Sequence, residues 1–160
     1  MEIKVVQKID KDYYQEFYSE WLNFRSVFKK WEDKIGMLSI SIAILIFLFN
    51  KDFLFITIGF LVFGFLMIYE FYSSKKKWMK SRLESKVNNE SVTMIFEDNQ
   101  IQSNGPFTEM KSKWDFFNQV IETKKGIFLI PENGISIYLQ KKSFENQTDI
   151  KRIIEKINKN

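Results

Sequence analysis

A chain with no histidine and no cysteine has to do any chemistry with carboxylates, amines, hydroxyls and amides. Its best-spaced carboxylates are Glu97-Asp98, Glu122 and Glu132, the kind of group a hydrolase uses as general acid and general base. Each of them falls at an expected turn or strand end, where acidic residues have an ordinary structural use. Ser-His-Asp and Cys-His mechanisms, thiolate nucleophiles, disulfides, zinc knuckles and iron–sulfur clusters are all excluded by composition. The six glycines are scattered and form no phosphate-binding loop. The residues therefore point away from an enzyme and supply no catalytic, cofactor-binding or metal-binding set.

A second chemistry is recognition of anions. Lys75, Lys76 and Lys77, with Lys80 and Arg82, form the densest basic stretch and are the candidate contacts to lipid headgroups. Each such charge near an anionic surface contributes about 1 kcal/mol. The simpler reading, which we favour, is that the same residues only orient a membrane segment. Nucleic acid is not an expected partner, because the net charge is only +4 and the aromatic residues sit in apolar runs or at core spacing.

The elements that must position these groups follow from where charge is absent. A mean hydropathy of −0.23 suits a soluble protein, but the average hides three parts. Residues 1–34 carry seven basic and seven acidic groups; residues 35–72 carry only Lys51, Asp52 and Glu70; residues 73–160 carry sixteen basic and eleven acidic groups. Ile35 to Asn50 and Phe53 to Tyr69 are uncharged runs of sixteen and seventeen residues. As helices they span roughly 24–26 Å, which interfacial flanks extend to the roughly 30 Å of a hydrocarbon core. A soluble domain of this size lacks the core to cover two helices apolar all round. The first run begins behind a charged segment, so it does not read as a signal peptide.

Asn50-Lys51-Asp52 is long enough only for a tight antiparallel connection. Asn50 is expected in a left-handed position ending the first helix, and Asp52 is expected to cap the second. Arg25, Lys29, Lys30 and Lys34 precede the hairpin and the 75–82 cluster follows it, so both termini are expected in the cytoplasm. Gly36, Ser39 and Ala43 lie on one face of the first helix. They suit close approach to the second helix near Gly59, or to another copy in a homodimer. Glu70 is the lone acidic group in the apolar runs, too little for a channel or transporter.

Outside the hairpin, Ile3 to Ile9 reads as a strand and Asp10 or Asp12 as the cap of a helix bearing Tyr14, Phe17, Tyr18, Trp21, Phe24 and Phe28. That aromatic stripe suits packing on a folded domain and, equally, lying among headgroups. Trp31 and Trp78 flank the hairpin as interfacial tryptophans do. From Val92 the period becomes two: strands are expected near 92–96, 101–103, 107–113 and 119–122. A hairpin of 126–130 with 135–139 follows, turning at Asn133-Gly134. Trp114 to Phe117 fits a strand end or one helical turn. Thr148 is an expected cap for a closing helix with Ile150, Ile153, Ile154 and Ile157 on one face. The fold class is thus α+β. It joins a two-helix transmembrane hairpin to a small antiparallel pleckstrin-homology-like β domain closed by a C-terminal helix. The expected divisions are 1–34 (strand and aromatic helix), 35–72 (hairpin, about 35–50 and 53–72), 73–90 (basic juxtamembrane helix or linker) and 91–160 (cytoplasmic β domain with its C-terminal helix).

This layout resembles the YcxB-like family of bacterial membrane proteins over the whole chain. Local matches are Phe96-Glu97-Asp98, Trp114 with Phe117, Glu122 before Phe128-Leu129, and Lys141-Lys142-Ser143-Phe144; Gln140 stands where the family often has proline. The resemblance implies a multi-pass protein of the bacterial cell membrane and carries over no catalytic residues. The function expected is a membrane-anchored binding or adaptor module, its partners the bilayer and a protein or peptide at the cytoplasmic domain. The alternative is a small self-protection protein, serving immunity or stress resistance.

Overall fold

The computed structural model describes residues 2–25 and 27–158; the side chains of Arg25 and Val27 lie outside the described set, so the expected topological role of Arg25 does too. The chain forms two compact units, one from residues 1–20 and 82–160 and the other from residues 21–81.

The first unit is the β domain. Strand β1 (Ile3–Ile9) alternates strictly, with Ile3, Val5, Gln7 and Ile9 inward and Lys4, Val6 and Lys8 outward. It pairs antiparallel with β2 (Glu90–Phe96), and β3 (Ile101–Asn104) and β4 (Glu109–Ser112) complete a four-stranded sheet in the order β1-β2-β3-β4. A second sheet holds β5 (Phe117–Glu122), β6 (Gly126–Pro131) and β7 (Ile137–Gln140) in sequence order. The expected division at residue 34 is therefore corrected: the N-terminal strand is an edge of the β domain, paired across more than eighty residues of sequence.

Between the sheets lies one core of Val5, Met94, Phe96, Ile101, Ile127, Leu129 and Leu139, closed by Ile150, Ile153 and Ile157 of the last helix, α4 (Gln147–Asn158). Thr148 sits inside α4 rather than at its cap. Helix α1 (Lys11–Arg25) starts with Asp10, whose Oδ1 accepts from Tyr13 N–H at 3.0 Å, so Asp10 and not Asp12 is the cap. Its first half covers the outer face of the second sheet: Phe17 meets the rings of Phe128 and Tyr138 at 5.5 and 5.8 Å. Covered on both sides, β6 reads as a continuous apolar run instead of an alternating one.

The second unit contains the end of α1, helix α2 (Val27–Phe49) and helix α3 (Leu54–Leu83). Both helices outrun the apolar stretches that announced them. At 30 residues α3 is about 45 Å long and carries Lys75, Lys76, Lys77, Lys80 and Arg82 without a break. It is long and apolar enough to cross a membrane. In α2 the uncharged stretch ends at Phe49, and Glu32, Asp33 and Lys34 stand directly before it.

Two details of the hairpin differ from expectation. Asn50 is extended (φ −152°), not left-handed, and its side chain accepts from Asp52 N–H at 3.0 Å. Asn50 therefore caps a single 3-10 turn (Lys51–Phe53) that runs into α3, the role assigned to Asp52. The seam also lies one turn further along. Gly36 and Gly64 are in mutual backbone contact and Ala43 is sealed; Ser39 Oγ donates to Phe60 O at 2.8 Å, next to Gly59, but a Cβ on Gly59 itself would meet nothing within 4 Å.

Candidate functional site

Lys75, Lys76, Lys77 and Lys80 are exposed on α3, and Arg82 is exposed at the start of the β domain's share of that helix. At about 100° per residue these positions spread over roughly 220° of the helix circumference instead of lying along one face. A wide arc of charge is suited to holding a helix at an interface and less suited to gripping one flat surface. Glu70, one turn earlier, accepts from Ser74 Oγ at 2.8 Å and lies 3.7 Å from Lys29 Nζ, which is itself 3.0 Å from Glu32. The lone acidic group of the apolar runs is thereby matched by a cation on α2.

The carboxylates singled out by composition are not brought together. Both oxygens of Glu97 are used within its own hairpin, accepting from Gln100 Nε2 at 2.7 Å and Gln102 Nε2 at 3.0 Å. Glu122 pairs with Lys141 at 2.7 Å, and Glu132 is exposed at the β6 turn. Among the described residues no three acidic side chains cluster as a cation site would need. Asp98 lines a shallow concavity of about 240 Å³ with Asn99, Lys113, Trp114, Asp115 and Lys156. Its components have structural uses. Lys156 Nζ donates to Asp98 O at 2.6 Å and lies 4.8 Å from the Trp114 ring centre, while Trp114 Nε1 donates to Glu97 O at 3.0 Å. Together they pin α4 to the β2–β3 turn, with charges of both signs and no net preference for an ion.

The most unusual polar arrangement is one that sequence reasoning missed. Gln7 is the only polar residue on the inward side of β1. Its side-chain amide donates to Tyr138 O at 3.0 Å and accepts from Gln140 N–H at 3.4 Å. One side chain thus behaves as a short piece of strand, bonding to β7 and closing the domain between β1 and the second sheet. Tyr13 Oη also donates to Tyr138 O, at 3.2 Å, and Tyr138 Oη donates to Glu16 at 2.8 Å. Burial pushes the Tyr13 hydroxyl far above the ordinary tyrosine value. Burial does the same for Tyr138, reinforced by the hydrogen bond to Glu16 and by the charges of Glu16 and Glu20. Both phenols are fixed donors and cannot act as bases. Gly126 makes room for Tyr138: a Cβ there would meet the Tyr138 ring and Leu139 O. The one signal available in the sequence was a glutamine breaking an otherwise apolar alternation.

Of the aromatic stripe, Tyr14 and Tyr18 are buried in the β domain and Phe17 packs on its second sheet, while Phe24 at the end of α1 and Phe28 on α2, in the other unit, are exposed. The Asn133-Gly134 turn is wider than a two-residue hairpin. Pairing starts at Leu129↔Ile137, and Gly134 alone takes a positive φ, +117°.

The chain matches no family model, no curated protein and no solved structure.

Proposed function

We propose that this chain is a non-catalytic, membrane-anchored binding or adaptor protein of the YcxB-like type. In this reading α2 and α3 cross the bilayer as a hairpin, and both termini and the pleckstrin-homology-like β domain lie in the cytoplasm. The observation that carries the reading is the exposed apolar surface of the hairpin: Phe49 is 85% and Phe55 90% accessible at its tip, and large apolar side chains stay uncovered along both helices. Water would penalise such a surface at about 25 cal/mol per Å², whereas a bilayer accepts it. Further support comes from the basic arc on α3 and from Trp31, whose ring lies 4.1 Å from Lys34 Nζ. The four-plus-three antiparallel sheets closed by a helix suit a module that presents strand edges and loops to a partner.

The test is topological. Lys51→Cys, in a chain otherwise free of cysteine, is expected to react with an impermeant thiol reagent in intact cells, and Lys111→Cys only after lysis. Protection of position 51, or release of the protein from membranes by alkaline carbonate, overturns the reading.

A further inference from the structure

The β domain has four strand edges, β1 and β4 in one sheet and β5 and β7 in the other. Three of them are protected. Gln7 ties β1 to β7, while β5 has an irregularity between Phe117 and Gln119 and packs beside α4. Bulges and covering helices are the usual ways of blunting an edge. By contrast β4 is in regular register with β3 over its four residues, and among the described residues no strand lies on its far side.

The direction of its free backbone groups follows from the turn. Gly105 N–H donates to Thr108 O at 2.8 Å, so 105 and 108 are a hydrogen-bonded pair. Such pairs alternate along an antiparallel ladder, which makes Ser103↔Met110 and Ile101↔Ser112 hydrogen-bonded as well. The N–H and C=O groups of Glu109 and Lys111 therefore point away from the sheet, and their side chains are exposed.

We infer that β4 pairs with β4 of a second copy of this chain, antiparallel about a two-fold axis at Met110. In that register Glu109 of each copy stands opposite Lys111 of the other, and the outward groups of both residues bond reciprocally. The neighbouring registers that satisfy backbone parity are unfavourable. Centring on Glu109 opposes two glutamates, and centring on Lys111 opposes two lysines. Opposite charges in directly facing positions stabilise antiparallel strands and like charges destabilise them. A self-complementary patch of this kind is what a two-fold interface requires. Four residues bury far less than the roughly 1,600 Å² of a stable complex, so pairing in dilute solution is weak. Confinement of both copies to one bilayer raises their effective concentration, and to that extent the inference rests on the anchoring proposed above.

Full-length protein in phospholipid vesicles tests it. At the axis the two Cα atoms are about 4.5 Å apart, within disulfide reach. Met110→Cys is expected to give a covalent dimer on mild oxidation. Adding Glu109→Lys should lower the yield about tenfold, and adding Lys111→Glu as well should restore it. No dimer at position 110, or a yield indifferent to charge reversal, overturns the pairing. Carbonate extraction of the same vesicles reports insertion separately. Protein that fails to insert counts against the anchor, and its β4 pairing is then read from the same cross-link at millimolar concentration in solution.

Discussion

In the β domain the sealed side chains include Phe96, Ile101, Ile127, Leu129, Tyr138, Leu139 and Ile153, while most lysines and glutamates face outward. In the hairpin the sealed side chains are Ala43, Ser39 and Thr57, while Leu38, Leu48, Phe55 and Leu66 face outward. The two regions use similar apolar residues in opposite senses. The first is organised by exclusion of water from bulky side chains. The second is organised by close approach of small ones, with a serine hydroxyl donating across the helices, the mode expected where apolar side chains gain nothing by hiding from one another. The same kind of substitution should therefore have different consequences in the two regions.

Alkali should give the largest separation. An unfolded tyrosine loses its proton near 10.0, whereas Tyr13 and Tyr138 hold theirs to higher pH when folded. The folded β domain then binds more protons than the unfolded chain as the pH passes 10. Its stability is intact below that value and falls above it. The hairpin's two tyrosines, Tyr69 and Tyr72, are exposed. Titration with base is expected to abolish the β-sheet signal and release tyrosinate absorbance in one cooperative step, leaving the helical signal of the hairpin. Gradual tyrosinate formation with the sheet intact would show that the two phenols are not locked in the folded domain.

What could be read from the sequence follows the same division. Alternation and its turn placed β2 and β3, and a continuous apolar run before Asn133-Gly134 placed β6, each to within a residue or two, while the spacing of Ile150, Ile153 and Ile157 placed α4, because each of these segments carries its burial in its own local pattern. Pairing of β1 with β2 was not legible, since nothing local in Ile3–Ile9 identifies a partner so distant in the chain. The choice of Gly64 over Gly59 was likewise invisible. It is set by the register of two helices that contact each other and not by either sequence alone. Gln7 could be recognised as out of pattern, but its bond to β7 depends on how two sheets close. The carboxylates drew attention only through the absence of other reactive groups, and each proved to serve local structure.

The two hairpin glycines sharpen the contrast at intermediate magnitude. A Cβ on Gly64 would lie 2.7 Å from both Gly36 O and Ile40 Cγ1, and the backbone oxygen can yield only by parting the helices. Gly64→Ala is expected to cost the hairpin about 2 kcal/mol. Around Gly59 a Cβ meets nothing within 4 Å. Gly59→Ala should accordingly be neutral or stabilising, by up to about 1 kcal/mol from helix propensity. Titration of the folded fraction with denaturing detergent measures both. Equal effects at 59 and 64 would mean that the seam is not the one described.

The smallest effects test whether Gln7 closes the β domain. Gln7→Met keeps the volume but removes both side-chain bonds, leaving Gln140 N–H without this acceptor; a loss of about 1 kcal/mol is expected in denaturant unfolding. Gln140→Pro attacks the other end of the same contact. The backbone there has φ −72°, which a proline ring accepts, but the ring Cδ replaces the N–H that points at Gln7 Oε1, so the substitution removes the 3.4 Å hydrogen bond and obliges the Gln7 amide to move. It also removes the buried Gln140 Nε2, which has no hydrogen-bond partner among the described residues. The second change only partly offsets the first, so Gln140→Pro should cost about 1 kcal/mol. If Gln7 works through the Gln140 amide, the two substitutions must be non-additive. In the Gln7→Met background proline removes an unpaired N–H and should be less costly than in the parent, or stabilising. Strict additivity would separate the two residues and leave the Tyr138 carbonyl as the sole point at which Gln7 holds the second sheet.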